Sequence, residues 1–530
     1  MARNPQTLLR DYHAARWDEE MIMDLGEPGE RGVKVPVAES EITSRVGDAS
    51  SLVPTQLLRR TPPALPEVSQ PRVNKHYTRL SQETMGSNVG NDIGQGTCTM
   101  KYNPVSQLHV ATRHPGMTEL HPLQDESTLQ GILEMYYKLQ EMLKETSGMD
   151  AVSLQSCGGG QAIYANASVV RAYHESRGDH QRDEVITTLL SHPANAAAPA
   201  TAGYKVVTLM PTESGIPDMD ALKAALSERT AAVFITNPED TGVFNGDIDK
   251  LVQAAHDVGA LCVYDMANAN GLLGITRARE AGFDLCHYNA HKTFSTPHGS
   301  MGPALGAQCV TKELEPFLPK PIVCFDGERY SLKYDCPHSI GKIRSFIGNA
   351  SLVCMAYTWI MNHGADGLRE VAEVSVINNN YLYEKLKDIP GLTVYFAEGR
   401  RRLEQIRYSW DPLFAETGVG SDHIRARMVD YGVQSFFASH HVGRHEEEPL
   451  ADQIVSEAMT PEPCESFSKD DIDEYAAVMA QISKEAYETP ELVKTAPHNS
   501  SIHNVPIPFM EDIVTQAGTW RLYKKAKNLD

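Results

Sequence analysis

The chain has 530 residues, 41% hydrophobic and 22% charged, and its 69 acidic against 48 basic side chains leave a net charge of −21. That length suits two or three structural units with at least one large core, and the acidic excess repels nucleic-acid phosphates and anionic membranes. The densest basic run, Arg400-Arg401-Arg402, is too short for a nucleic-acid footprint. The N-terminus lacks a signal-like apolar core and no stretch approaches the ~20 apolar residues of a membrane span, so a cytoplasmic protein is expected. The nine cysteines include no Cys-x-x-Cys pair, and several, such as Cys262 and Cys354, sit inside apolar runs. Reduced thiols are predicted, with neither a disulfide framework nor a metal site.

In chain order, residues 1–85 are rich in proline and charge and show no sustained periodicity, which predicts an N-terminal arm laid over a neighbouring surface. Residues 86–340 are predicted to form a large domain. Within it Leu129, Ile132, Leu133, Tyr136, Leu139, Met142 and Leu143 recur at three- and four-residue steps, an amphipathic helix stopped at Ser147-Gly148. Apolar runs at 151–154, 184–190, 205–209, 231–236 and 260–264 then alternate with helical stretches at 218–226 and 248–256. Strand alternating with helix predicts an α/β fold, a mostly parallel central sheet with helices on both faces. Beyond 340 come helices at 351–362 and 368–387, a strand at 392–396 and a helix at about 470–486. They predict a smaller α+β domain over 341–495, followed by a polar tail over 496–530.

Three predicted strand ends carry polar residues: Asn237 before Pro238, Asp265 after Tyr264, and His291-Lys292-Thr293 after Asn289. From Asn237 to Asp265 is 28 residues and from Asp265 to Lys292 is 27, about one strand plus crossover each, so all three can emerge on one sheet edge, where such folds bind ligands. A lysine, a carboxylate and an amide on one rim suit pyridoxal 5'-phosphate: the amine forms a Schiff base, the carboxylate keeps the ring nitrogen protonated, and the amide can bond the phenolic oxygen. Upstream, Gly158-Gly159-Gly160 follows a predicted strand and feeds a helix, whose free amides can cradle a phosphate. His192, after the 184–190 run, can stack on a cofactor ring or serve as a core histidine.

The residues that extend this pattern are Leu25-Gly-Glu-Pro-Gly-Glu-Arg-Gly-Val33, Gly96-Thr-Cys-Thr-Met-Lys-Tyr-Asn-Pro104, Glu119-Leu-His-Pro-Leu-Gln124, Asn289-Ala-His-Lys-Thr-Phe-Ser-Thr-Pro-His-Gly299 and the block from His338 to Asn349. With them the chain resembles, from about residue 25 to 500, the glycine dehydrogenase (decarboxylating) subunit 2 family, the B subunit of the glycine cleavage system P-protein. The resemblance implies the fold-type I architecture, with Lys292 as the Schiff-base lysine, Asp265 on the pyridine nitrogen, His192 stacked on the ring, and the glycine turn, His291 and Thr293 near the phosphate. It further implies that glycine forms an external aldimine and loses CO2, and that the aminomethyl group passes to the lipoyl arm of the H-protein. Subunit 1 would be a partner in a hetero- or homo-oligomer.

The chain departs from the family pattern near the implied site. Ile163 stands where an acidic residue is usual, and His192-Pro-Ala-Asn-Ala-Ala-Ala198 replaces a stretch with two hydroxyls. The glycine-rich loop after the lysine block is short, and an insertion-like His- and Glu-rich segment occupies 439–448, read as a surface loop. These departures keep open a paralogue that decarboxylates, eliminates or transaminates another amino acid without a lipoyl carrier. A cofactor-free scaffold is disfavoured by the retention of both Asp265 and Lys292.

Overall fold

The computed structural model describes residues 8–501 except 62, 64, 87–88, 99–100, 298–303, 397–398 and 437–456, together with 524–525 and 527–528. The 439–448 segment and much of the 299–306 loop therefore lie outside the described residues. The chain divides into two compact units, Met1–Arg10 with Asn91–Ala496, and Asp11–Gly90 with Pro497–Asp530.

The first unit is built on a seven-stranded sheet. Its strands are β1 (Ala151–Ser156), β2 (Glu184–Thr188), β3 (Lys205–Leu209), β4 (Thr230–Ile235), β5 (Leu261–Asp265), β6 (Leu285–Asn289) and β7 (Gly306–Val310), in the order β1-β7-β6-β5-β4-β2-β3. The run from β6 to β3 is parallel, and β7 lies antiparallel between β6 and β1. Successive residues of the central strands face opposite ways. Val185, Phe234, Val263 and Leu285 enter one apolar core, while Ile186, Val233, Cys262 and Cys286 enter another. Both faces are thus covered, as the continuous apolar runs require.

Helices α1 (Gln130–Ser147), α2 (Gly159–Ser176), α3 (Ala194–Thr201), α4 (Met219–Ala225), α5 (Ile248–Asp257), α6 (Ala290–Thr293), α7 (Ala350–Leu386) and α8 (Lys469–Glu488) complete the unit's main elements. The predicted stop of α1 is real: Gly148 takes the left-handed conformation at φ 73° and returns its amide to the Lys144 carbonyl. The two helices expected at 351–362 and 368–387 are one run bent at Gly364, whose φ is 64°. Ile163, on α2, is 2% exposed and belongs to the same apolar core as Ala167, Val170 and Val185. A separate core, including Leu382, Trp410, Ile424, Tyr475 and Met479, gathers the end of α7 with α8.

In the second unit, His76 is the one buried residue among those described between 11 and 90. The helix Gln70–Glu83 is held instead by polar contacts: Glu19 lies 3.0 Å from His76 and 2.6 Å from Arg79, and Arg72 lies 3.0 Å from Glu30. Val33, Val35 and Val37 are 70%, 82% and 93% exposed. All nine cysteines are free. No helix among the described residues is long and apolar enough to cross a membrane.

Gly242 joins the sheet to the segment around Gln405. Its φ is +71°, and a Cβ there would lie 1.8 Å from the Gln405 carbonyl oxygen. Gly242→Ala is expected to destabilise the fold by about 1–3 kcal/mol from the backbone conformation alone, with the clash adding to it, read as a lower urea midpoint at unchanged slope.

Candidate active site

Strands β4, β5 and β6 are neighbours and parallel, so their carboxyl ends meet on one edge. Asp265 closes β5 and is 3% exposed. Its Oδ1 accepts the Ala267 amide at 3.0 Å and lies 3.1 Å from Nε2 of His287, its register partner on β6. Its Oδ2 accepts Nδ2 of Asn195, from α3, at 2.9 Å. Burial opposes the charge, but His287, His192, the Ala267 amide and Lys292 outweigh it and hold the carboxyl below its usual range. Burial also pushes the His287 imidazole down, against the pull of Asp265. The pair therefore consists of an ionised carboxylate beside a neutral imidazole.

Lys292 sits one strand over, in the short turn α6, and is 4% exposed. Among the described residues its amine has no hydrogen-bond partner; what acts on it is the field of Asp265 and His287. A buried amine left so is costly unless a further group completes it. Thr293 is fully buried and its Oγ1 accepts the Ala269 amide at 3.0 Å, while His291 is 7% exposed in the same turn.

At the end of β1 the chain enters α2, whose first helical bond runs from the Ala162 amide to the Gly158 carbonyl at 3.0 Å. No side chain caps this end, which leaves the amides of the first turn pointing outward. The three glycines differ in purpose. A Cβ on Gly159 would lie 2.5 Å from Nδ2 of Asn289, whereas one on Gly160 would meet nothing within 4 Å. Gly158 is approached from β7, where a Cβ on Gly306 would lie 2.7 Å from the Gly158 carbonyl. The helix end thus abuts the strand leading to Lys292 and is open on its Gly160 side.

His192 accepts the Ala194 amide on Nδ1 at 3.0 Å, which places the neutral ring's proton on Nε2. Asn237 is 2% exposed, and its side chain clasps the Asn245 backbone, accepting that amide at 2.8 Å and donating to its carbonyl at 3.3 Å. Sequence reasoning missed His287 and Asn195. His287 follows from aligning β6 against β5, and Asn195 lies three residues beyond His192 in a motif already singled out. Glu462 is also new, held by Asn268 at 2.7 Å and Asn270 at 2.6 Å.

His256, Cys262 and Asp284 are the one group of possible metal ligands among the described residues. Oδ2 of Asp284 already accepts the Cys262 amide at 2.8 Å and lies 2.9 Å from Nε2 of His256, contacts that tie α5 to β5.

An unpartnered buried amine, a charged carboxylate on the next strand end and an uncapped helix terminus fit the amine-binding, ring and phosphate ends of pyridoxal phosphate. The Aminotransferase class-V family matches residues 157–408. Among solved structures, an inhibitor-bound glycine decarboxylase (P-protein) of the glycine cleavage system superposes with a TM-score of 0.68 at 19% identity, over 84% of this chain and 100% of that one. A cysteine desulfurase, CsdA from Escherichia coli, does so with a TM-score of 0.56 at 16% identity, over 76% and 97%. The chain is a pyridoxal-phosphate-dependent enzyme with the fold-type I architecture.

Its sequence relatives narrow the class. The probable glycine dehydrogenase (decarboxylating) subunit 2 of Pyrococcus horikoshii is 40% identical over 97% of this chain and 98% of its own. That of Halalkalibacterium halodurans is 38% identical over 92% and 95%. The chain belongs to the glycine dehydrogenase (decarboxylating) subunit 2 family.

Two other buried acids carry a pH consequence. Burial pushes Glu239, beside Asp240, and Glu404, beside Glu462, up to about 8. Carboxyls raised on folding stabilise the native state below their unfolded value, and that contribution is lost as pH rises through the folded one. Unfolding free energy is expected to fall between about pH 5 and 8, and Glu404→Gln to flatten that slope in urea titrations.

Proposed function

We propose that this chain is the cofactor-bearing subunit of a glycine decarboxylase, releasing CO2 from glycine and passing the aminomethyl group to the lipoyl arm of an H-protein, in complex with a separate subunit 1. Family membership supports the glycine cleavage reaction, and the relatives' designation as subunit 2 supports a partner chain. The observation that carries the site assignment is the ionised Asp265 within electrostatic reach of Lys292 on adjacent strand ends.

Lys292 would hold the cofactor's aldehyde through its amine. Asp265, ionised and fixed by Asn195 and the Ala267 amide, would keep a proton on the ring nitrogen. His192, oriented by the Ala194 amide on Nδ1, would be the residue to cover the ring. The outward amides of the α2 terminus would take the phosphate, with Gly159 and Gly306 allowing the close approach of the turn to Asn289 and β7, no described residue crowding Gly160, and His291 and Thr293 near that end. Asn237 keeps one amide hydrogen beyond its clasp on Asn245 and would use it on the ring oxygen. When bound, pyridoxal phosphate supplies an electron-accepting ring that stabilises the carbanion left as CO2 departs.

Exchange of labelled bicarbonate into glycine, with subunit 1 and lipoylated H-protein present, is the deciding measurement. Exchange is expected; none, together with turnover of another amino acid, overturns the reading. Borohydride should fix the cofactor to Lys292 and leave no adduct in Lys292→Ala. Asp265→Ala should lose activity by about 100-fold or more while still binding the cofactor, and full activity in that variant refutes the assignment.

A further inference from the structure

We infer that Lys101 is a positioning residue that aims the turn carrying Lys292. The inference rests on the reading of Lys292 as the lysine that bears the cofactor. Lys101 lies in the Gly96–Pro104 motif, whose purpose the reaction leaves unexplained, and its side chain is 1% exposed. Its Nζ donates to the Thr293 carbonyl at 3.0 Å, lies 3.0 Å from Oε1 of Glu465, and stands 4.9 Å from the centre of the Trp359 ring. Its ammonium is thus engaged by a carbonyl, a carboxylate and a π face. Lys292, also buried, has no hydrogen-bond partner among the described residues. The two lysines therefore differ in kind, one a strut and one a reactive amine.

The turn needs such a strut. At four residues, α6 closes only one α-helical bond of its own, from the Phe294 amide to the Ala290 carbonyl at 3.1 Å. Its direction is set from outside: Leu305 accepts the Ala290 amide at 2.9 Å, the Thr293 hydroxyl accepts the Ala269 amide, and Lys101 holds the Thr293 carbonyl. The grip continues along both segments. Ser295, at φ +52°, donates its hydroxyl to the Tyr102 carbonyl and accepts Nδ2 of Asn103 at 3.4 Å. Residues 101–103 thus hold Thr293 once and Ser295 twice. The far end of the strut is anchored as well, because Glu465 accepts the Ser375 hydroxyl of α7 at 3.3 Å. Trp359, also on α7, packs edge-on against Phe294 with ring centres 6.0 Å apart. Lys101 therefore couples the pose of Lys292 to α7 and to the segment that contains Glu465. A reacting group displaced by 1 Å can cost about 100-fold in rate.

Lys101→Met, Lys101→Arg and the charge-neutral double variant Lys101→Met/Glu465→Gln test this in the full chain with its partner subunit. The double variant removes both buried charges and so guards against simple misfolding. Borohydride trapping after mixing with pyridoxal phosphate, followed by mapping of the modified lysine, reports the rate at which the adduct forms on Lys292. In the double variant, melting temperature and total bound cofactor are expected to match the wild type while that rate falls at least about tenfold. Turnover should fall about 100-fold with KM for glycine held within about threefold, and Lys101→Arg should restore part of both. Adduct formation at the wild-type rate in a folded double variant overturns the inference, as does a loss matched by a fall in melting temperature without rescue by arginine. An adduct mapped to Lys101 in the wild type overturns it too. A wild-type chain that forms no adduct on Lys292 refutes instead the reading of the site on which the inference rests.

Discussion

The charge on Asp265 is what the site is built around. A carboxylate with 3% of its surface exposed pays a desolvation cost of several kcal/mol, and it stays ionised only if enough donors face it. What faces it comes from distinct parts of the chain: two donors, the amide of Ala267 beyond its own strand and Asn195 from α3, and the His287 imidazole, 3.1 Å away on the neighbouring strand. The His287 contact depends on register, since Asp265 and His287 are cross-strand partners on β5 and β6. A one-residue slip would turn His287 to the opposite face of the sheet and leave Oδ1 with the Ala267 amide alone. The packing of Val263 and Leu285 in one core and of Cys262 and Cys286 in the other fixes that register, so the apolar sheet and the ionised group are parts of one constraint.

The rest of the site is a matter of approach distances. The α2 terminus comes close enough to Asn289 that a side chain at 159 would have to displace its amide, and β7 comes close enough to the Gly158 backbone that only glycine fits at 306. Short α6 then presents Lys292 from the end of β6, with its backbone held by contacts from segments distant in sequence. Asn237 contributes differently, spending most of its side chain on the loop that returns to Asn245.

Much of this could be read from residue order. The α1 stripe and its glycine stop, the alternating strands and helices, and the Asp265–Lys292 spacing are local signals, and local signals survive in a linear text. What failed was non-local. β7 carries an inward Gln308 that donates to Asn166 across the core, so its run does not read as an apolar strand. The strand expected over 392–396 pairs only at Thr393–Val394. The motif that contains Lys101 was visible, but its purpose was not, because the lysine's partners lie 192 and 364 residues away along the chain.

The position of β7 has a consequence for how the protein comes into being. β1, which leads into the glycine turn, joins the sheet only through β7, some 150 residues later in the chain. During synthesis the phosphate end and the lysine end must therefore wait as separate pieces until residue 310 has emerged, and closing so long a loop is slow relative to forming the helices between. The strand that joins the two ends of the site in space is thus the last of the seven in sequence.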